Sequence, residues 1–287
     1  MQALEGLSGI SLQSLPIYLL LLMISSLRIG AFLVASPFFG SRMIPLTVRI
    51  VFAIALGMGL VSHLKFPPVE FLVGVKLVPI IFQELFIGLA CGLVLNIVFS
   101  SVILAGEKIA ATSGLAFAAQ IDPTSGAQSP VISQIFQLFL LILFFSVNGH
   151  LVIFELFYKS YDMVPIGGFY DFKDVIKKAI NSTNAIYQNA VVIVLPIVGI
   201  LFFMNLGIGF ITKSAPQLNL FSFGFPMTLI GAFLILFYSV DAISFAFKDL
   251  IQLIIDLLMS FLFAKTDEAP EQIIVGIDQN QYDERYE

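Results

Sequence analysis

Residues 106–130 read GEKIAATSGLAFAAQIDPTSGAQSP and stand between two long apolar segments. The stretch is too polar for contact with lipid and too apolar for an ordinary solvent loop. Beyond Ile109, as far as Ala119, it is almost all Ala, Gly, Ser and Thr, with Leu115 and Phe117 as its larger apolar side chains. That composition suits close packing of backbone against backbone. Asp122, Pro123, Gly126 and Pro130 then break any helix, through proline's missing N–H and the turn preferences of Asp and Gly. Irregular backbone at membrane depth is tolerated only where protein or a watery cavity surrounds it, so the stretch points to a buried or pore-lining segment.

The flanks set this insert in a membrane protein. Of 287 residues, 59% are hydrophobic and 11% charged, too little polar surface to coat a soluble globule. The mean hydropathy is +1.00. The formal net charge of -5 comes from the end of the chain, where Asp267, Glu268, Glu271, Asp278, Asp283, Glu284 and Glu287 face only Arg285. The rest is near balance, so no nucleic-acid partner is expected. No Lys or Arg precedes Arg28, the reverse of a cleavable signal, and the first apolar segment is expected to be retained.

Six apolar segments follow in order. The first runs from Leu15 to Phe39, the second from Ile44 to Val61 with Pro45 at its start, and the short connection between them predicts antiparallel neighbours. The third, Phe71 to Ala105, is roughly 50 Å long as a helix, well beyond a hydrocarbon core of about 30 Å. Pro79 offers it a kink, and Gly88 with Gly92 gives it a small-residue face for close helix contact. The fourth, Val131 to Tyr158, holds Asn148, Gly149, His150 and Glu155. A polar stretch, Lys159 to Thr183, reads as a solvent loop. The fifth, Ala185 to Ile211, contains Pro196, which is expected to interrupt its hydrogen bonding; Asn181-Ser182-Thr183 just before it reads as a polar turn. The sixth runs from Leu220 through Phe247 and continues to Phe263 as an amphipathic helix with Lys248, Asp249, Gln252 and Asp256 on its polar face. The composition beyond Lys265 predicts a disordered tail. The fold class is all-α, a polytopic membrane protein of long kinked helical hairpins.

Catalytic patterns are missing: there is no HExxH, GxSxG, P-loop or GxGxxG after a strand. His63 and His150 lack partners at ligand spacing and Cys91 is alone in an apolar run, so neither a metal nor a cofactor is expected. Ionisable residues inside apolar runs are Arg28, Arg49, Lys76, Glu84, Glu155 and Asp241, and Glu107 opens the central insert. Charges at membrane depth face a bundle interior or a watery cavity. No two of them form a relay by spacing, which favours interhelix contacts over an ion pathway. Glu155 and Lys159 are an i,i+4 pair.

Taken as a set, the helix breaks resemble those of the FliR family of flagellar export-gate proteins, whose virulence-system relatives are SpaR and SctT. The matching residues are Arg28-Ile29-Gly30 with Pro37-Phe38-Phe39-Gly40, Ile44-Pro45 through Arg49, and Gly106-Glu107. Further on stand Gly114, Phe117-Ala118, Asp122-Pro123, Asn148-Gly149-His150, Leu195-Pro196, Asn205-Leu206-Gly207, and Ala215 to Asn219 with Gly224-Phe225-Pro226. The resemblance covers about Leu15 to Phe263 and excludes the acidic tail.

The resemblance implies a FliP-like part, residues 1–182, fused to a FliQ-like helical hairpin, residues 183–264, ahead of the tail 265–287. The hairpin would turn at Pro216, Gln217, Asn219 and Pro226. It implies a non-enzymatic core subunit of the flagellar type III export gate in the bacterial inner membrane and basal body. Its partners would be FliP-like, FliQ-like, FlhB-like and FlhA-like proteins, membrane lipid and unfolded flagellar substrates. The insert 106–130 would be an inner loop that helps close the channel, with Gly106, Gly114, Leu115, Phe117, Asp122 and Pro123 as its working residues and Leu115 and Phe117 as apolar stoppers. The competing reading is a secondary transporter or ion channel, for which broken helices and buried charges are also typical. A membrane enzyme ranks third, because no nucleophile, metal cluster or acid–base pair appears.

Overall fold

The computed structural model describes residues 15–40, 44–64, 66–68, 72, 74–115, 131–168, 170, 172–215, 217 and 223–262. Among these residues the secondary structure is helical. The helices are α1 (Leu15–Ala35), α2 (Leu46–Val61), α3 (Leu77–Thr112), α4 (Val131–Ser146), α5 (Gly149–Met163), α6 (Phe172–Ser214), α7 (Phe225–Tyr238) and α8 (Val240–Leu262), with a 3₁₀ turn, Gly74–Lys76, leading into α3. The six apolar segments are all present as helix, the fourth and sixth each as a bent pair. Helices α1, α3 and α6 are long and apolar enough to cross a membrane, and the bent pairs α4–α5 and α7–α8 raise the number of candidate spans to five. The chain is therefore an all-α multi-pass membrane protein.

The core is built around α3, which packs on α1, α4, α6 and α8. Its closest neighbour is α1, and the reason lies in two glycines one turn apart. A Cβ at Gly88 would sit 2.1 Å from the Arg28 carbonyl oxygen, and one at Gly92 would sit 2.5 Å from Ala35 Cβ. Only glycine lets the two backbones approach this far, so the small-residue face expected from the spacing is a helix contact. On the other side Ala53 and Gly57 turn α2 toward α1, where Ser25 Oγ donates to the Gly57 carbonyl.

Several boundaries differ from the sequence reading. Pro79 is the third residue of α3 rather than a kink within it; in the first turn a proline's missing N–H has no intrahelical partner to lose. The stretch Gly106 to Thr112 belongs to α3, not to the loop, because Ile109 and Ala110 are buried by the helix packing around them. Lys159 to Thr183 is not one exposed loop: α5 runs to Met163, and α6 starts at Phe172 and includes Asn181-Ser182-Thr183. Pro196 lies inside α6 without ending it. At 43 residues α6 is about 65 Å long, twice the hydrocarbon thickness. Its buried positions Val175, Ile186, Ala190, Val194, Ile197, Leu201 and Ile208 form one stripe, while Val192, Leu195, Phe203 and Phe210 on other faces are exposed.

The two bends have different causes. Between α4 and α5 the axis turns by 63° at Asn148, whose φ of 56° is a left-handed conformation that asparagine tolerates better than most residues. Gly149 follows because a Cβ there would lie 2.6 Å from the Phe144 ring. Between α7 and α8 the turn is 64° at Ser239, with no proline or glycine at the break. Beyond it α8 is amphipathic as its sequence suggests: Phe247, Ile251, Ile254 and Leu258 are buried, and Lys248, Asp249, Gln252 and Asp256 are exposed.

Candidate functional site

The central insert leaves the body at the C-terminal end of α3. Gly106 is buried in that helix, where a Cβ would come within 2.5 Å of Ser133 Cα, so it serves the crossing of α3 with the first turn of α4. The helices before and after the insert are thereby held against each other. Ser113 caps α3, with its N–H on the Ile109 carbonyl, and Gly114 follows at φ 84°, a conformation glycine adopts without strain. A Cβ on Gly114 would be 2.8 Å from Phe225 Cδ1. Leu115 is half-buried against the hydrophobic core. Phe117, Asp122 and Pro123 lie outside the described residues.

The last carbonyls of a helix have no partner within it. Here two of them are taken by side chains from the C-terminal third of the chain. Asn205 Nδ2 on α6 donates to the Thr112 carbonyl at 2.9 Å, and Thr228 Oγ1 on α7 lies 3.0 Å from the Ser113 carbonyl. Thr228 is buried and its hydroxyl is also 3.0 Å from the Phe225 carbonyl, so one proton is shared between two acceptors. Helices α6 and α7 meet at this level, where a Cβ on Gly231 would strike the Met204 methyl at 2.2 Å. Of the expected turn residues, Gln217 lies in a turn, Pro226 is in the first turn of α7, and Pro216 and Asn219 are outside the described residues.

The ionisable residues divide. Arg28 and Glu84 are fully buried and joined by two hydrogen bonds, Nε to Oε2 at 2.8 Å and Nη2 to Oε1 at 3.0 Å. Arg28 Nη1 also donates to Ser160 Oγ at 2.8 Å, Nη2 to the Val164 carbonyl at 3.0 Å, and the guanidinium lies 4.0 Å over the Tyr161 ring. Tyr161 in turn donates to the Ser25 carbonyl. This network ties α1, α3 and α5 together. Spacing along the chain carried no sign of it, since Arg28 and Glu84 are 56 residues apart and Ser160 132 from Arg28. The other two expected to be buried, Arg49 and Glu107, are only half-buried; Arg49 donates to the Ile44 carbonyl near the start of its own helix. Glu155 and Lys159 form their i,i+4 pair at 2.6 Å on the surface.

Outside the body the surface is strongly apolar. A groove of about 830 Å³ between α4 and the α7–α8 bend is lined by Ile135, Phe136, Phe139, Phe233, Phe237 and Ile243 among others. Another, of about 480 Å³, runs between α3 and the first half of α6 past Phe86, Leu93, Val175 and Ile180. Neither is lined by Arg28 or Glu84. Among the described residues no three His, Cys, Asp or Glu side chains are grouped to hold a metal.

Comparison with known proteins agrees with this architecture. Residues 19–254 match the family described as bacterial export proteins, family 1. The chain is 31% identical over 242 residues to the flagellar biosynthetic protein FliR of Bacillus subtilis, covering 82% of this chain and 92% of the relative. It is 30% identical over 203 residues to the protein of the same name from Escherichia coli K12, covering 71% and 77%. The FliR protein of Aquifex aeolicus is 30% identical over 227 residues, covering 79% and 88%. The matched region stops before the acidic tail.

Proposed function

This chain belongs to the FliR family, family 1 of the bacterial export proteins, and from that membership we propose that it is a non-enzymatic core subunit of the flagellar protein export gate. Family membership gives it a part in flagellar export. The finer reading is that it assembles with FliP-like and FliQ-like subunits in the bacterial inner membrane, at the flagellar basal body. There it meets FlhB-like and FlhA-like proteins, and unfolded flagellar substrates pass through the channel they form. The carrying observation is the exposed apolar surface of α6, continuous from Val191 to Ile211 and resumed at Ile176 and Ile180 in its first half. The stretch from Val191 to Ile211 is about 30 Å long and matches a bilayer, so the exposed Ile176 and Ile180 beyond it call for protein partners as well as lipid.

Within that assembly the loop after Leu115 acts as a seal. Its small residues suit packing near a channel axis, and apolar side chains at a constriction exclude water. Support comes from the helices on either side of it, since Gly114 at the end of α3 packs against Phe225 and Gly106 lets α3 cross the first turn of α4 at Ser133. The buried ion pair speaks for scaffolding rather than an ion relay, because Arg28 is satisfied on every side and borders neither apolar groove.

The test is extraction in mild detergent from cells expressing the three proteins together and this chain alone. Recovery in a large complex with two other small hydrophobic proteins, and loss when expressed alone, is the expected result. A stable, monodisperse monomer would refute the assembly reading.

A further inference from the structure

The N-terminal end of α3 carries a cleft that shares no lining residue with the two apolar grooves. It has a volume of about 420 Å³ and is lined by Pro67, Lys76, Pro79, Ile80, Gln83 and Gly167. A small-ligand site is typically about 300–1,000 Å³, so the cleft is of that size. Three separate stretches of chain form it: Pro67 after α2, the first two turns of α3 with the residue before them, and the turn after α5. In that turn Gly167, at φ 75°, carries the backbone past Ile80. Gln83 is the buried polar member of the lining, only 8% exposed, and its Nε2 has no hydrogen-bond partner among the described residues. A buried donor left unpaired bears the full cost of its desolvation, which an acceptor from outside the chain would relieve. Lys76, exposed at the same end, brings a positive charge, and the positive end of the α3 dipole lies beside it. An acceptor that suits an amide, an ammonium and a helix N-terminus together is an oxyanion.

We propose that this cleft binds the phosphate diester of a membrane phospholipid, with Gln83 Nε2 and the Lys76 ammonium as donors to its oxygens. A free phosphate presents the same oxygens, and the surroundings decide for lipid. Helix α3 is about 54 Å long, so its ends reach beyond a hydrocarbon core of about 30 Å, and the cleft sits at such an end. Val75, Val78 and Phe82 are exposed apolar side chains around it. From Phe86, about one turn past Gln83, the groove between α3 and α6 begins and follows α3 through Leu89 and Leu93 to Ile97. Phe86 to Ile97 is about 17 Å of helix, close to one leaflet of that core. A headgroup in the cleft therefore has an apolar channel for an acyl chain on the adjoining face of the same helix. The neighbouring Glu84 carboxylate does not repel the phosphate, because it is held by Arg28 and does not line the cleft. Nothing in this site depends on the loop after Leu115 or on the export partners.

The test is the melting of the detergent-extracted protein, in whatever complex it is recovered, as dioleoylphosphatidylglycerol is added. Two controls separate the parts of that lipid: dioleoylglycerol has the chains without the phosphate, and inorganic phosphate has the oxyanion without the chains. A saturable rise in melting temperature with the phospholipid, and none with either control, is the expected result. Lys76→Met and Gln83→Leu should each need about tenfold more phospholipid for half the rise, for the loss of one donor to a charged group, whereas Lys76→Arg behaves as the parent. Without lipid, Gln83→Leu should melt no lower than the parent, since it removes an unpaired donor at similar volume; a lower value overturns the reading of Gln83. An equal rise with dioleoylglycerol makes the groove alone responsible and overturns the headgroup site. An equal rise with inorganic phosphate makes this a free-anion site and overturns the lipid source. No rise with any of the three, or a phospholipid response unchanged in both variants, overturns the proposal and leaves the cleft to water or a partner subunit. Should Gln83→Leu fail to fold, Lys76→Met at its exposed position decides alone: half the rise at the parent's concentration overturns the proposal.

Discussion

Removing one partner of the Arg28–Glu84 pair should cost far more than removing both. Glu84→Gln leaves a guanidinium at zero exposure with its counter-charge gone, and stranding a buried charge in this way costs about 3–5 kcal/mol. Arg28→Met leaves the mirror-image problem, an unpaired carboxylate between α1 and α3, at a similar cost. In the double variant Arg28→Met/Glu84→Leu both charges leave, and apolar side chains of similar volume occupy the space. Three contacts are lost beyond the pair itself: the guanidinium's place over the Tyr161 ring and two hydrogen bonds. Ser160 Oγ keeps the Phe157 carbonyl as its acceptor at 2.7 Å, so the loss of Arg28 does not strand it. The Val164 carbonyl loses its donor in the buried interior, which costs about 1–3 kcal/mol. The double variant should therefore be destabilised by roughly 1–3 kcal/mol, several kcal/mol less than the two single effects added together. The assay is the fraction of complex recovered in detergent after a temperature ramp, for wild type, both singles and the double, beside steady-state protein in the membrane fraction. Additive effects, or a Glu84→Gln protein that behaves as wild type, would refute the reasoning, for they would mean that water or a partner subunit reaches the pair.

Gly88→Leu should abolish folding, since even a Cβ collides with the Arg28 carbonyl, and membrane-fraction protein is the readout; recovery near wild type would contradict the α1–α3 contact. Asn148→Gly should hold stability while Asn148→Val lowers it by about 1–2 kcal/mol, because valine is poorly accommodated at positive φ; comparison of their melting in detergent tests the cause of the α4–α5 bend. Replacing Pro216 and Pro226 together with alanine should prevent assembly but not membrane insertion, the expectation being a straighter helix across the turn, and normal motility in that variant would count against it. A stop codon at Thr266 should leave export intact, as the matched family region ends at residue 254; loss of filaments at unchanged protein level would give the tail a partner.

Much of this molecule was legible without coordinates because the signals were local. A run of some twenty apolar residues favours a membrane helix, and among the described residues all six apolar segments are helical, three to five of them long enough to span. Gly88 and Gly92 announced a close contact because two small residues one turn apart share a face, and the alternation in α8 announced its buried side in the same way. Asn148-Gly149 marked a break for a backbone reason that belongs to those two residues. What the tertiary structure decided was non-local. The polar stretch before Ala185 reads as loop by composition, yet its last turns, from Phe172, belong to α6, where Val175 and Ile186 bury against the body and Lys178 reaches the Ser260 carbonyl of α8. Residues 106–112 read as the beginning of a loop because they are small and polar, and they are helix because α4 packs across Gly106. Arg28 was an unpaired charge in the sequence and acquires Glu84, Ser160 and Val164 only when three helices meet. Composition limits what a segment tolerates around it, but which distant donor reaches which carbonyl is set by helix crossings, and no single segment carries that information.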